Sequence, residues 1–364
     1  MLSDGIDHRL EAGNADATRR TIPASQRSAV PNPPPRRQPP RLIPALIGLA
    51  LAAGIAALLV GPARLPVAAL WAGMTGQGDP VVAAILWQLR LPRAVLGLLV
   101  GAMLGLGGAA MQGYLRNPLA DPGVLGVSGA AALGAVVAIY WQLARAHPAV
   151  LPLMAIVGAL MSLMPLIWLS RRGESPLGLI LAGVAVATLA GAGISLALNL
   201  APNPFAAMEI TTWLLGSLED RTPADVWIAL PCVMAGAALL LWDARALDAL
   251  SLGEDAARTL GIDLAQVRLR LMLGIAIGVG GVVAVAGSIG FVGLIVPHLV
   301  RPLTDRSPSA ILIPSALAGA TLLTLADLGT RLIPATAPLK LGVLTAFLGV
   351  PVFVHHLLKE RRLW

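Results

Sequence analysis

Charge, thiol and lysine are what this sequence has least of. Only 12% of its 364 residues are Asp, Glu, Lys or Arg, against 57% hydrophobic, whereas a soluble domain carries about 25% charged residues. Too little polar surface remains to face water. A soluble enzyme or binding module is therefore excluded, and a bilayer is the better solvent. The single cysteine, Cys232, excludes an intrachain disulfide and, set in an apolar run, reads as a small core or lipid-facing residue. Lysine occurs only at Lys340 and Lys359, neither behind a glycine loop. With no G-x-x-x-x-G-K-[ST], the chain has no P-loop of its own for ATP. A metal-ligand cluster, an Asp-rich diphosphate motif and G-x-S-x-G are missing too, which leaves a membrane enzyme without its chemistry. Aromatic content is 4%, while 39 glycines and abundant alanine suit helices packed closely in lipid.

Residues 1–41 differ from all that follows. Seven arginines and the run PNPPPRRQPP, with few apolar residues, predict a disordered tail without a packed core. The first apolar stretch starts about forty residues in and does not follow Arg19-Arg20 directly, which argues against a secretory or twin-arginine signal. From Leu42 to Trp364, apolar runs recur near the roughly 20 residues a helix needs to cross hydrocarbon. They fall near 42–60, 94–115, 123–140, 150–169, 177–199, 226–242, 268–286, 289–303, 309–328 and 339–358, ten in all, the eighth short and interrupted by Pro297 and Pro302. The fold class is expected to be all-α, a polytopic membrane protein of about ten transmembrane helices, with an interfacial helix around Thr211–Leu218. The net charge of +7 is arginine set between apolar runs, which speaks for the positive-inside rule and not for nucleic acid. With the N-terminus inside, 19 of the 26 basic residues face the cytoplasm, so both termini are expected there.

Between the sixth and seventh spans lies SLGEDAARTLGID (Ser251–Asp263). Ser251 and Glu254 have the spacing of a capping box, and Gly261 is placed to end a helix in the left-handed conformation. Leu252, Ala256 and Leu260 recur every four residues as an apolar face, opposite Glu254, Asp255 and Arg258. A short helix of this kind either seats in a groove on a partner protein or is an ordinary connector. Arg90 and Arg93 stand three apart at the outer end of the second span, where they either snorkel to headgroups or meet acidic groups of an external protein. Gly101, Gly105 and Gly108 thin one face of that span, Met111 and Gln112 follow near its inner end, and Asn117-Pro118 and Asp121-Pro122 break the helix. Asp327, deep in an apolar segment, is a functional candidate by default, and its simplest partner is Arg331 one turn later. His298, behind a proline, reads as a packing residue. An ion-coupled secondary transporter would need paired intramembrane charges, and Asp327 alone sits deep in a span.

Several separated motifs stand in order: RLPR, QGYLRNPLADPGVLGVS, LAGV, SLGEDAARTLG, GFVGLIVPH and LGVLTAFLGVPVF. On these residues the chain from about Leu42 to Trp364 resembles the iron-chelate, haem and vitamin B12 permeases of type II ABC importers, most of all the proteobacterial haem-uptake branch. The resemblance implies a homodimer in the bacterial inner membrane, two ATPase subunits on the cytoplasmic side and a periplasmic substrate-binding protein outside. It implies that Arg90, Arg93 and Arg331 receive carboxylates of the binding protein. Leu252, Gly253, Glu254, Ala257, Arg258, Leu260 and Gly261 match the coupling helix that contacts the ATPase. Met111 and Gln112 match positions lining the translocation path, and Asn117 and Leu119 match an inner gate. Ser175, Pro176 and Leu177 stand where the family often has a small polar pair as a second gate. No permanently bound cofactor is implied: haem or a related iron chelate is the transported substrate, with ferric siderophore or vitamin B12 as alternatives, and ATP belongs to the partner subunit.

Overall fold

The computed structural model describes residues 41–63, 65–145, 147–170, 176–333 and 339–360. The tail expected over 1–41 lies outside them, apart from Arg41. Among the described residues the regular structure is helical, with no strand. Seven of the described helices are long and apolar enough to cross a membrane: α1 (Leu42–Leu59), α3 (Pro80–Leu115), α5 (Val150–Leu169), α6 (Pro176–Asn199), α8 (Pro223–Trp242), α11 (Leu264–Ala286) and α13 (Pro308–Leu332). Three shorter apolar helices, α4 (Val127–Tyr140), α12 (Val292–Val300) and α14 (Leu341–Glu360), bring the count to the ten expected. Short helices α2 (Val67–Met74), α7 (Pro204–Leu214), α9 (Ala244–Ser251) and α10 (Glu254–Thr259) fill the connections.

Two helices form the centre. The most apolar stretches of α3 and α11 are each 78% buried, against 17% for α6 and 22% for α1. Glycine makes this possible. Gly101 and Gly105 of α3 lie against the backbone of Gly319 and Ser315 on α13, and Gly108 lies against Gly293 of α12. On the far side of α11, Gly281 receives the Cys232 side chain of α8, so the lone cysteine is a small packing residue. Exposed tryptophans mark both ends of the bundle: Trp71, Trp87, Trp141 and Trp227 at the end where α3 begins, and Trp168 and Trp242 where it finishes. Two such girdles are the pattern of membrane interfaces.

Three expectations are corrected. The second span begins at Pro80 and not near residue 94, because the helix continues through Arg90, Pro92 and Arg93 after a π-helical turn over Ile85–Arg90. The wider i→i+5 bonding of a π-turn is the local adjustment commonly found at functional positions. The interfacial helix runs over Pro204–Leu214, seven residues earlier at its start than the expected Thr211, with Asn203 Oδ1 capping the Ala206 N–H at 2.9 Å. Ser251 and Glu254 form no capping box. Ser251 ends α9 and donates its hydroxyl to Asp248 O at 2.6 Å, while Gly253, at φ +115°, starts α10. A capping box does occur at Thr222 and Asp225, where α8 starts.

Candidate functional site

The end of the bundle where α3 begins is held by arginine. Asp327 on α13 is 2% exposed and accepts two guanidinium groups. Arg93 reaches it from α3 with Nε 3.0 Å from both carboxylate oxygens, and Arg331 reaches it from one turn further along α13. Arg331 also donates to Ala57 O (2.8 Å) and Val60 O (3.0 Å). Arg90 donates to Leu58 O (2.8 Å), Leu59 O (3.0 Å) and Ala63 O (2.6 Å). The carbonyls that the C-terminus of α1 leaves without helical partners are thus taken by two cations, which also oppose the negative end of the helix dipole.

The pairing of Asp327 with Arg331 was readable from spacing; the arrival of Arg93 was not. All three arginines are engaged inside the chain. Together with Glu219, Asp220 and Arg221 they wall a cavity of about 250 Å³. Arg221, whose pKa burial lowers from the usual arginine value, adds a fourth cation. Glu219 is bound to Lys340 at 3.0 Å.

At the opposite end, Met111 is fully buried and Gln112 is 3% exposed. The Gln112 amide donates to Leu294 O of α12 (3.1 Å), and its Oε1 accepts from Arg301 (2.8 Å). Met111 is thus packed inside its own chain, and Gln112 is held by its two partners at the wall of a cavity. Asn117 and Leu119 are exposed on the loop after α3, with Asn117 Oδ1 accepting the Leu119 N–H at 2.9 Å. The loop continues through Asp121, which accepts the Gly123 N–H at 2.8 Å and whose carboxyl burial pushes above the usual range. Gly183 of the LAGV motif lies against Val124 O and Leu125, leaving no room for a methyl, so loop and α6 are in backbone contact. Ser175 lies outside the described residues. Pro176 and Leu177 start α6, their side chains outside the described set.

Beyond this loop stands α10. Ala257 is its buried residue, and Ile262 N–H donates to Ala257 O. Arg258 pairs with Glu254 and Asp255 on its own helix. Leu252 and Leu260 are bare, 71% and 65% exposed, and Gly261 takes φ +80° as its spacing implied. Asp263 caps α11; the N–H of Gln266 and then that of Ala265 hold its carboxyl below the usual range.

Residues 49–359 match the FecCD transport family. The chain belongs to that family. Among relatives, a Bacillus subtilis (strain 168) ABC transporter permease, YvrB, is 39% identical over 80% of this chain and 83% of its own length. The Vibrio cholerae vitamin B12 import permease BtuC is 38% identical over 86% of this chain and 93% of its own. A metal-chelate type ABC transporter solved in an inward-facing conformation superposes with a TM-score of 0.79 at 30% identity, covering 88% of this chain and 100% of that one. This FecCD permease has the type II ABC importer fold, and its role is that of an importer's membrane subunit.

In this FecCD permease the least buried span, α6, carries a feature missed in the sequence. Ala185, Thr188, Ala192, Ser195 and Asn199 are all exposed and recur at helical spacing, a small and polar stripe in an otherwise apolar helix. Lipid gives no reason for such a stripe, whereas a water-bearing path or a second subunit does. Reading α6 at its 3.6-residue period would have found it.

Proposed function

We propose that this permease forms the transmembrane path of an ATP-driven importer of haem or a related iron chelate, as a homodimer with two ATPase subunits on the cytoplasmic side and a binding protein outside. The observation that carries the reading is α10 with its two flanking leucines, Leu252 before it and Leu260 after it, which are bare while the charged residues of the helix pair among themselves. A connector has no use for two bare leucines beside a left-handed glycine. A groove on an ATPase does.

Leu260→Asp tests this. The residue lies outside the bundle, so the variant should fold and elute as the parent does. It should lose at least about tenfold in substrate-stimulated ATP hydrolysis with its ATPase, because a charge without a partner would be buried in the interface. Full coupling by the variant would reduce α10 to a connector. Permease alone in liposomes should accumulate nothing under an imposed proton or sodium gradient, which separates this reading from a secondary transporter.

The arginine-walled cavity at the other end fits acidic side chains of the binding protein. Docking there should weaken as salt rises from about 0.05 to 0.5 M, since screening shortens the reach of surface charge. Salt-independent docking measured by surface plasmon resonance would count against the site. A second substrate reading is vitamin B12, favoured by the relatives named for its import. Parallel uptake of haem, cobalamin and a ferric siderophore in proteoliposomes decides between them.

A further inference from the structure

At the end of the bundle that carries α10, a cavity of about 460 Å³ opens where α3, α9 and the connection from α12 to α13 meet. Arg116 lines it from the end of α3, and Arg301 and Arg306 from the connection between α12 and α13. Two acids share the cavity, and both are engaged. Asp248 accepts the Ser309 N–H at 2.8 Å, and Asp305 accepts the N–H and hydroxyl of Ser307 at 2.9 and 2.7 Å. Among the described residues Arg116 and Arg306 enter no ion pair. Both are exposed, and both hold a left-handed backbone, at φ 51° and 69°. That conformation is uncommon for a residue with a β-carbon, and at two arginines of one cavity it is a local cost.

The segments that carry Arg301 and Arg306 also bear exposed apolar side chains outside the cavity lining. Leu299 and Leu303, one turn apart on the segment leading to Arg306, are 51% and 49% exposed. Ile313, just inside α13, is exposed as well. A polar, cationic cavity at the end of a membrane bundle, with bare aliphatic side chains on the same segment of chain, has groups suited to a headgroup and to acyl chains. Guanidinium groups present paired N–H donors that match phosphate oxygens. Basic pockets between transmembrane helices are known to take phospholipid headgroups.

We propose that this cavity binds the phosphate of an anionic phospholipid. Arg116 and Arg306 hold the phosphate oxygens, Arg301 contributes charge from its seat on Gln112, and the acyl chains run along Leu299 and Leu303. Bound there, the lipid ties the end of α3, and with it the loop carrying Asn117 and Leu119, to the start of α13.

The test uses the full chain purified in detergent, with phosphatidylglycerol, phosphatidylcholine and inorganic phosphate titrated separately and adducts read by native mass spectrometry. Phosphatidylglycerol should be retained about tenfold more tightly than phosphatidylcholine. The double variant Arg116→Gln/Arg306→Gln should lose most of that preference, while Arg245→Gln, an exposed arginine on α9 that does not line the cavity, should keep it. Both changes are at exposed positions, and an unchanged elution profile verifies the fold. Equal retention of the two lipids, or a double variant that keeps the preference, overturns the proposal. So does inorganic phosphate binding with the same arginine dependence and displacing the lipid, which would make this a free-anion site. A double variant that keeps its lipid and loses its ATPase would assign the arginines to a protein contact and sink the proposal equally.

Discussion

Asp327→Ala should cost the permease about 3–5 kcal/mol, enough to remove most folded protein from detergent extracts. The carboxylate is 2% exposed and neutralises Arg93 and Arg331 at once. Its removal leaves two guanidiniums facing each other without their counter-ion, with Arg90 close behind on the carbonyls of α1. Three helices are linked through this group, so α1 should be the first to detach. A double-mutant cycle separates charge from shape. Arg93→Met alone should be milder, because Arg331 still satisfies the acid, and Asp327→Asn should cost less in the Arg93→Met background than in the parent, with a coupling of about 1 kcal/mol or more. Unfolding midpoints in SDS for the four proteins give the cycle. A parent-like midpoint for Asp327→Ala would show that the arginines are neutralised by water or lipid, and that the ion network is incidental.

Gly101→Val is the second change with a large expected effect. A β-carbon at Gly101 would overlap the carbonyl of Gly319, and one at Gly319 would overlap the carbonyl of Gly101. The contact is therefore backbone on backbone in both directions, and no side chain can rotate away to relieve it. One turn along, Gly105 meets Ser315 O in the same manner. To admit valine, α3 and α13 must separate along most of their shared length. Overpacking of a tight core costs about 1–3 kcal/mol at an ordinary site and more where several contacts open together. Close Cα–H···O contacts would be lost as well, at about 0.5–1 kcal/mol each. Gly48→Ala is the control: nothing lies within 4 Å of a β-carbon there, so it should be neutral or slightly stabilising through helix propensity. If Gly101→Val and Gly48→Ala give equal yields and unfolding midpoints, the glycine seam does not hold the two helices.

These effects trace to different levels of the molecule. The number of spans was legible because the cost of exposing backbone and charge to hydrocarbon acts residue by residue, so it is written as apolar run length. Gly261 was legible for a similarly local reason, since a left-handed φ after a short helix favours glycine wherever the helix lies. Even Asp327 and Arg331 could be paired from one-turn spacing.

What the chain order could not convey were encounters between residues far apart in it. Arg93 meets Asp327 across more than two hundred positions, and only packing of α3 on α13 brings them together. Tertiary partners also let α3 run through Arg90 and Arg93, which interrupt its apolar run: Asp327 neutralises Arg93, and the carbonyls of Leu58, Leu59 and Ala63 take the N–H groups of Arg90. Met111 and Gln112 are buried within the chain for the same kind of reason, because which face of a glycine-rich helix is covered depends on what lies against it. Ser251 has the right neighbour for a capping box, but α9 extends over it and spends its hydroxyl on Asp248 O. Hydropathy and local turn chemistry are sums over neighbours in sequence, and the chain determined them by itself. Charge neutralisation and close helix contact depend on neighbours in space, and only the tertiary structure decided those.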